Sequence, residues 1–304
     1  MPATNPETFN NPRDNLPNVF NNISAREIDF VTRFGDNWDA LRNILGIMRP
    51  IRKAPGSKLV TYSASVTLES GAVPAGALIP YSKATVTEAA LGNLTVEKYA
   101  KAVTIEDVNA YGAENAIERT DNAFLVELQN TVLTRFYTFL NTGSLAPASG
   151  VTVSGWQDAL AKAQGLVLDK FAGMDKDVTG VVGFANILDA YDYLGSAPIT
   201  VQTAFGLTYI ENFLGYRTLF LLPAKYVARG KVIATPVDNI DLYYIDPADS
   251  DFAKLGLIYT AQGETNLIGF HAEGDYHTAT GATFALMGMA LWAEYLDGIA
   301  VVTF

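Results

Sequence analysis

The chain has 304 residues, 49% of them hydrophobic and only 17% charged, with a formal net charge of -11. Length and apolar content exclude a small stapled scaffold and a disordered or fibrous chain, and so few charges suggest that other subunits cover part of the exterior. The acidity argues against a subunit that grips nucleic acid over its whole surface, and the absence of cysteine removes disulfides and thiolate chemistry and fits folding in a reducing compartment, the cytoplasm by default.

The first 22 residues, MPATNPETFNNPRDNLPNVFNN, are rich in Asn and Pro and lack the basic start and apolar stretch of a signal peptide. They read as an extended arm that orders only against something else. Ser24 followed by Glu27 has capping-box spacing, and Ile28, Val31, Phe34, Trp38, Leu41 and Leu45 recur at helical intervals until Pro50. An amphipathic helix starting at Ser24, with a break at Gly35, is expected. Arg42, Arg49, Arg52, Lys53 and Lys58 concentrate positive charge at its end; they read as a solvated basic face, or as a contact for an acidic partner or nucleic acid. The opposite charge gathers at the other end of the sequence, where residues 231–304 carry 10 acidic and 2 basic side chains.

From 60 to 68 the chain alternates, with Val60, Tyr62, Ala64, Val66 and Leu68 on one face and Ser and Thr on the other, the pattern of a half-buried strand. A second strand is expected from Leu94 to Ile105. Between them Gly71, Pro74, Gly76, Pro80 and Gly92 mark a long tip rather than a tight turn. A two-stranded ribbon is marginal alone in water, so its apolar face and tip (Val60, Tyr62, Val66, Leu68, Pro74, Pro80 and Lys83) are candidates for a contact with a neighbouring subunit.

Thr104 and Asp107 can cap a short turn, after which Glu114 to Leu140 is the strongest helical segment, with Ile117, Phe124, Leu128, Val132, Phe136 and Phe139 or Leu140 on one stripe. Helix 156–171, strand 178–184, helix 186–194 and strands near 217–222, 231–234 and 240–245 suggest an inserted unit of mixed character. Strands over 266–276, 283–292 and 298–304 close the chain. The longest apolar run, Phe284 to Ala293, is too short to span a bilayer, and no internal repeat is visible.

Catalytic chemistry finds little support. His271, Glu273, Asp275 and His277 in FHAEGDYH share one face of a strand and could in principle hold a metal, but the plain reading is the wet side of a sheet. Asp246, Asp249 and Asp251 lack the Gly and Glu positions of a calcium loop. G-x-S-x-G, H-E-x-x-H, Walker-type and dinucleotide glycine motifs are absent, so no enzyme, cofactor or metal is expected.

This order of arm and helix, long ribbon, long helix, inserted mixed unit and returning strands resembles the major capsid protein of tailed bacteriophages, the Hong Kong 97-type α+β fold. In that resemblance 1–56 is the N-terminal arm and 57–103 the extended loop, carried by KLVTYSASVTLESGAVPAGALIPYSKATVTEAALGNLTVEKYAKAVTI, which runs from Lys58 on to Ile105. ENAIERTDNAFLVELQNTVLTRFYTFL is the spine helix of a peripheral domain built from 104–150 and 246–304, and 151–245 is the axial domain. The resemblance implies hexamers and pentamers of an icosahedral shell around double-stranded DNA, in the virion and assembled in the host cytoplasm. It also implies a portal, a separate scaffolding protein, since no large scaffolding region precedes the loop, and room for a decoration protein. Lys83 is the nearest candidate for a covalent crosslink, though it reads as an ordinary surface lysine. An encapsulin-like nanocompartment shell and, less favoured, a soluble β-rich hydrolase remain alternatives.

Overall fold

The fold is taken from a computed structural model that describes residues 17–46, 48–74, 76, 78–112, 114–195, 200–204, 206–261, 266–275 and 277–304. The first sixteen residues of the expected arm lie outside this range. Helix α1 spans Pro17–Leu45; proline suits a first helical turn, where its missing N–H is not needed. The helix runs unbroken through Ser24 and Gly35, which corrects both the expected start and the expected break. Phe30, Val31, Phe34, Trp38 and Leu41 are buried along it, and this packing outweighs the local capping signal and the glycine.

Strand β1 (Met48–Arg52) contains Pro50 and lies at a sheet edge, where a missing N–H is tolerated. Strands β2 (Lys58–Thr67) and β3 (Lys83–Asn93) pair antiparallel from Lys58 opposite Asn93 to Thr67 opposite Lys83. The ladder shifts register between Leu59 and Val60, next to Gly92 at φ +104°, the conformation that a bulge asks of glycine. The expected partner, 94–105, instead forms β4 (Glu97–Thr104) in another sheet. The unpaired tip is correspondingly shorter, from 68 to 82.

Helix α2 (Ile105–Tyr111) carries the expected cap: the Asp107 N–H donates to Thr104 Oγ1 at 3.1 Å and the Thr104 N–H donates back to Asp107 at 3.4 Å. A π-helical turn at Glu114–Glu118 leads into α3 (Arg119–Leu140). Leu125, Leu128, Val132, Phe136, Tyr137 and Leu140 form its buried stripe, with Phe124 and Phe139 packed at the margin.

The next elements are α4 (Trp156–Ala172), β5 (Val181–Asn186), α5 (Ile187–Leu194), β6 (Gln202–Ala204), β7 (Leu207–Glu211), β8 (Thr218–Leu222) and β9 (Lys231–Pro236). After them come β10 (Ile240–Tyr244), α6 (Ser250–Lys254), β11 (Ile268–Asp275), β12 (Thr280–Met287), β13 (Met289–Ala293) and β14 (Ala300–Thr303). The largest sheet has the order β14-β9-β5-β8-β7-β6. Its central strands β5 and β8 are buried on both faces, the reason their sequences read as continuous apolar runs. On one face Val181, Ala185, Leu219, Leu221 and Val232 pack on Leu160, Ala163 and Val167 of α4. On the other, Val182, Phe184, Phe220 and Ile233 meet Phe136 and Tyr137 of α3.

Two three-stranded sheets, β1-β10-β13 and β11-β12-β4, carry the remaining strands. The single strand expected over 283–292 is divided between them at Gly288, where a Cβ would stand 2.5 Å from Ile245 Cδ1 and 3.0 Å from the Thr95 carbonyl; only glycine lets the chain cross there. Strand β14 joins the six-stranded sheet instead of returning beside the long helix.

Candidate subunit interface

The ribbon is rooted by Leu59 and Leu94, buried against Ile245, Phe252 and Leu286. Beyond that root its apolar side chains are bare. Cross-strand partners share a face, which puts Tyr62 with Glu88, Ala64 with Val86 and Val66 with Ala84 on one side. Tyr62 is 66% exposed, Val66 59% and Leu68 80%. The expected half-buried strand is therefore uncovered within its own subunit.

Of the other expected interface residues, Val60 is half-buried near the root, while Pro74, Pro80 and Lys83 are exposed at the tip. The alternation missed another exposed group, Leu78 at 95%, Ile79 at 74% and Tyr81 at 98%. Their signal is an apolar cluster, ALIPY, inside a Gly- and Pro-rich segment, where neither a helical nor a strand period applies.

The basic cluster finds its acidic partner inside the chain. Arg49 donates to Asp241 at 2.8 Å and to Glu294 at 3.0 Å, and Arg52 contacts Asp246 and Asp249 at 3.1 Å each. Lys53 lies 5.8 Å from the Tyr243 ring centre, and Lys58 pairs with Glu88 at 3.4 Å. Asp249 also accepts the Asp251 N–H, capping α6, and that backbone bond, followed by Arg52, holds its carboxyl below the ordinary range. Asp251 pairs with Lys254 at 2.8 Å. These carboxylates thus serve ion pairs and a cap.

His271 projects from β11 with Nδ1 3.4 Å from Glu27 and Nε2 3.7 Å from Glu273. His277 sits in the turn after the strand, its N–H donating to Asp275, so the four residues do not converge. Among the described residues no group of three or more His, Asp or Glu side chains is placed to hold a metal, and no helix is long and apolar enough to cross a membrane.

Glu27 has a different task from the expected capping box. Its carboxylate, nearly buried, accepts the Ala272 N–H at 2.5 Å and the Thr260 hydroxyl at 3.0 Å. With Phe30 stacked on Phe270 at 3.9 Å, it fastens α1 to β11.

No protein-family model matches the sequence, and no curated protein does. Solved structures do match. A chain from the mature capsid of bacteriophage PhiM1 aligns with TM-score 0.55 at 7% identity over 85% of each chain. A capsid chain of cyanophage A-1(L) aligns with TM-score 0.52 at 12% identity, over 86% of this chain and 91% of that one. The chain has the Hong Kong 97-type capsid fold. An encapsulin of Synechococcus elongatus aligns with TM-score 0.48 at 16% identity, over 88% of this chain and 86% of its own. Among the described residues the ribbon carries several of the most exposed large apolar side chains.

Proposed function

We propose that the chain is the major capsid protein of a tailed double-stranded DNA bacteriophage. It is a structural protein without a catalytic site, and its copies assemble into the hexamers and pentamers of an icosahedral shell around the genome. The observation that carries this reading is the ribbon: in a subunit with a capsid fold, it presents Tyr62, Val66, Leu68, Leu78, Ile79 and Tyr81 to solvent. A free monomer rarely leaves so much apolar surface uncovered on one element. At about 25 cal/mol per Å², a few hundred Å² covered by a neighbour contributes several kcal/mol before association entropy is subtracted.

In this reading 1–56 is the arm with its helix and 57–103 the extended loop. Residues 104–150 and 246–304 form the peripheral domain around α3, apart from β14, which joins the sheet of 151–245, the axial domain. The contact residues are Val60, Tyr62, Val66, Leu68, Pro74, Pro80 and Lys83, with Lys83 an ordinary surface lysine. A separate scaffolding protein and a portal assist assembly in the host cytoplasm, and the shell belongs to the virion. The net charge of -11 suits a wall that encloses DNA without binding its sequence.

Sedimentation velocity and negative-stain microscopy of the expressed protein test the reading. Closed shells are expected, and particles from infected cells should hold nuclease-protected DNA. A cargo protein in place of DNA would favour a nanocompartment, and a stable monomer at micromolar concentration would overturn both.

A further inference from the structure

Where α1, α3 and β7 meet, they leave a cavity of about 220 Å³. Phe34, Asn37, Trp38 and Leu41 line it from α1, at the i, i+3, i+4 and i+7 spacing of one helical face. Gln129 and Leu133, one turn apart on α3, and Leu207 of β7 complete the wall. None of these lining residues is charged.

Two of them carry hydrogen-bond donors that the fold itself does not use. The indole Nε1 of Trp38 and the amide Nε2 of Gln129 are both shielded from solvent, and no acceptor among the described residues meets either. Trp38 is only 4% exposed. Native interiors leave few buried donors unpaired, because each one forfeits the hydrogen bonds it makes to water in the unfolded chain. That both unmet donors belong to the walls of one cavity argues for an acceptor held there. Water suits the place poorly: an ordered buried water needs two to four polar partners, whereas Phe34, Leu41, Leu133 and Leu207 make most of this wall apolar. A cavity of about 150 Å³ with aliphatic and aromatic walls already admits benzene, so this one has room for a ring and a substituent.

We infer that the cavity between α1, α3 and β7 is a binding site for a neutral, mainly apolar small molecule carrying a carbonyl oxygen. One carbonyl oxygen can accept two hydrogen bonds, one each from Trp38 and Gln129, while the apolar walls cover the rest of the ligand. A carboxylate is disfavoured, since no cation lines the cavity to offset its lost solvent. The site lies within a single subunit and does not depend on the shell reading. Because the ligand touches both helices, its binding stabilises the packing of α1 on α3.

Acetophenone, a ring with one carbonyl, is the probe. Ethylbenzene, of similar shape without an acceptor, and benzoate, a charged counterpart, are the controls. Calorimetric titration into the full chain is expected to give a single acetophenone per subunit, bound roughly ten-fold more tightly than either control. The melting temperature should rise with acetophenone concentration. Trp38→Phe and Gln129→Leu each remove one donor and keep an apolar wall. Both should cut the preference for acetophenone over ethylbenzene several-fold while ethylbenzene still binds. Equal binding of acetophenone and ethylbenzene, no binding of either, or an unchanged preference in both variants overturns the inference. If Trp38→Phe fails to fold, Gln129→Leu, at a half-buried position, decides by the same ratio.

Discussion

The Glu27 carboxylate leaves the first helix to accept two hydrogen bonds from the strand region beneath it. Removing it strands the Ala272 N–H in a buried place, and an unmet buried donor costs about 1–3 kcal/mol. Glu27→Ala is therefore expected to lower the melting temperature by several degrees in calorimetry, while Glu27→Gln, which keeps an acceptor, should lose less. Glu97 of β4 fastens α3, accepting two hydrogen bonds from Arg135 at 2.6 and 2.5 Å. Burial pushes the Glu97 carboxyl up, but its bonds to Arg135 and Tyr99 more than offset this and hold it below the ordinary value. A carboxyl depressed in the folded state adds stability above its unfolded pKa, about 4.3, and loses it as the pH falls through the lower folded value. Thermal melts from pH 7 to pH 3 should show Glu97→Gln less stable than the parent at neutrality and the difference shrinking below pH 4. A constant difference would assign the effect to packing.

At the scale of elements, the ribbon separates folding from association. Its last rung is Thr67 opposite Lys83, so replacing 68–82 by Asn-Gly closes a two-residue hairpin at a natural place. The shortened chain is expected to keep its circular dichroism and to sediment as a monomer or small oligomer; intact shells would refute the intersubunit role. The same element shows where sequence reasoning stops. Helix α3 is legible because Phe124, Leu128, Val132, Phe136 and Leu140 recur every four residues, and β5 because it is buried on both faces and apolar up to Asn186. β3 is obscure because GluAlaAlaLeu at 88–91 is helix-forming by composition and becomes strand only by pairing with β2. β1 is hidden by Pro50, which is harmless only at the edge position that tertiary structure assigns it. For the candidate interface, alternation finds Tyr62, Val66 and Leu68. It cannot find Leu78, Ile79 and Tyr81, which obey no period and whose exposure depends on what the rest of the chain covers.

For the whole molecule, the early basic segment and the late acidic one close on each other through Arg49 and Arg52. These pairs are partly solvated, a class worth 0–1 kcal/mol each, so they set the meeting of chain ends more than its strength. Assembly should be visible as lost apolar surface: dissociated subunits are expected to bind an apolar fluorescent dye several-fold more per chain than shells do, and subunits lacking 68–82 should bind less than intact dissociated subunits. Equal dye binding by subunits and shells would place the ribbon outside the contact. The order of pairing also has a consequence in time. Phe30 stacks on Phe270 and Met48 pairs with Ile240, partners that a ribosome working at about 5–20 residues per second delivers roughly 10–50 s later. The ribbon needs no such wait, because Thr67 and Lys83 emerge almost together. The ribbon can thus be fully paired while the partners that anchor α1 and β1 are still untranslated.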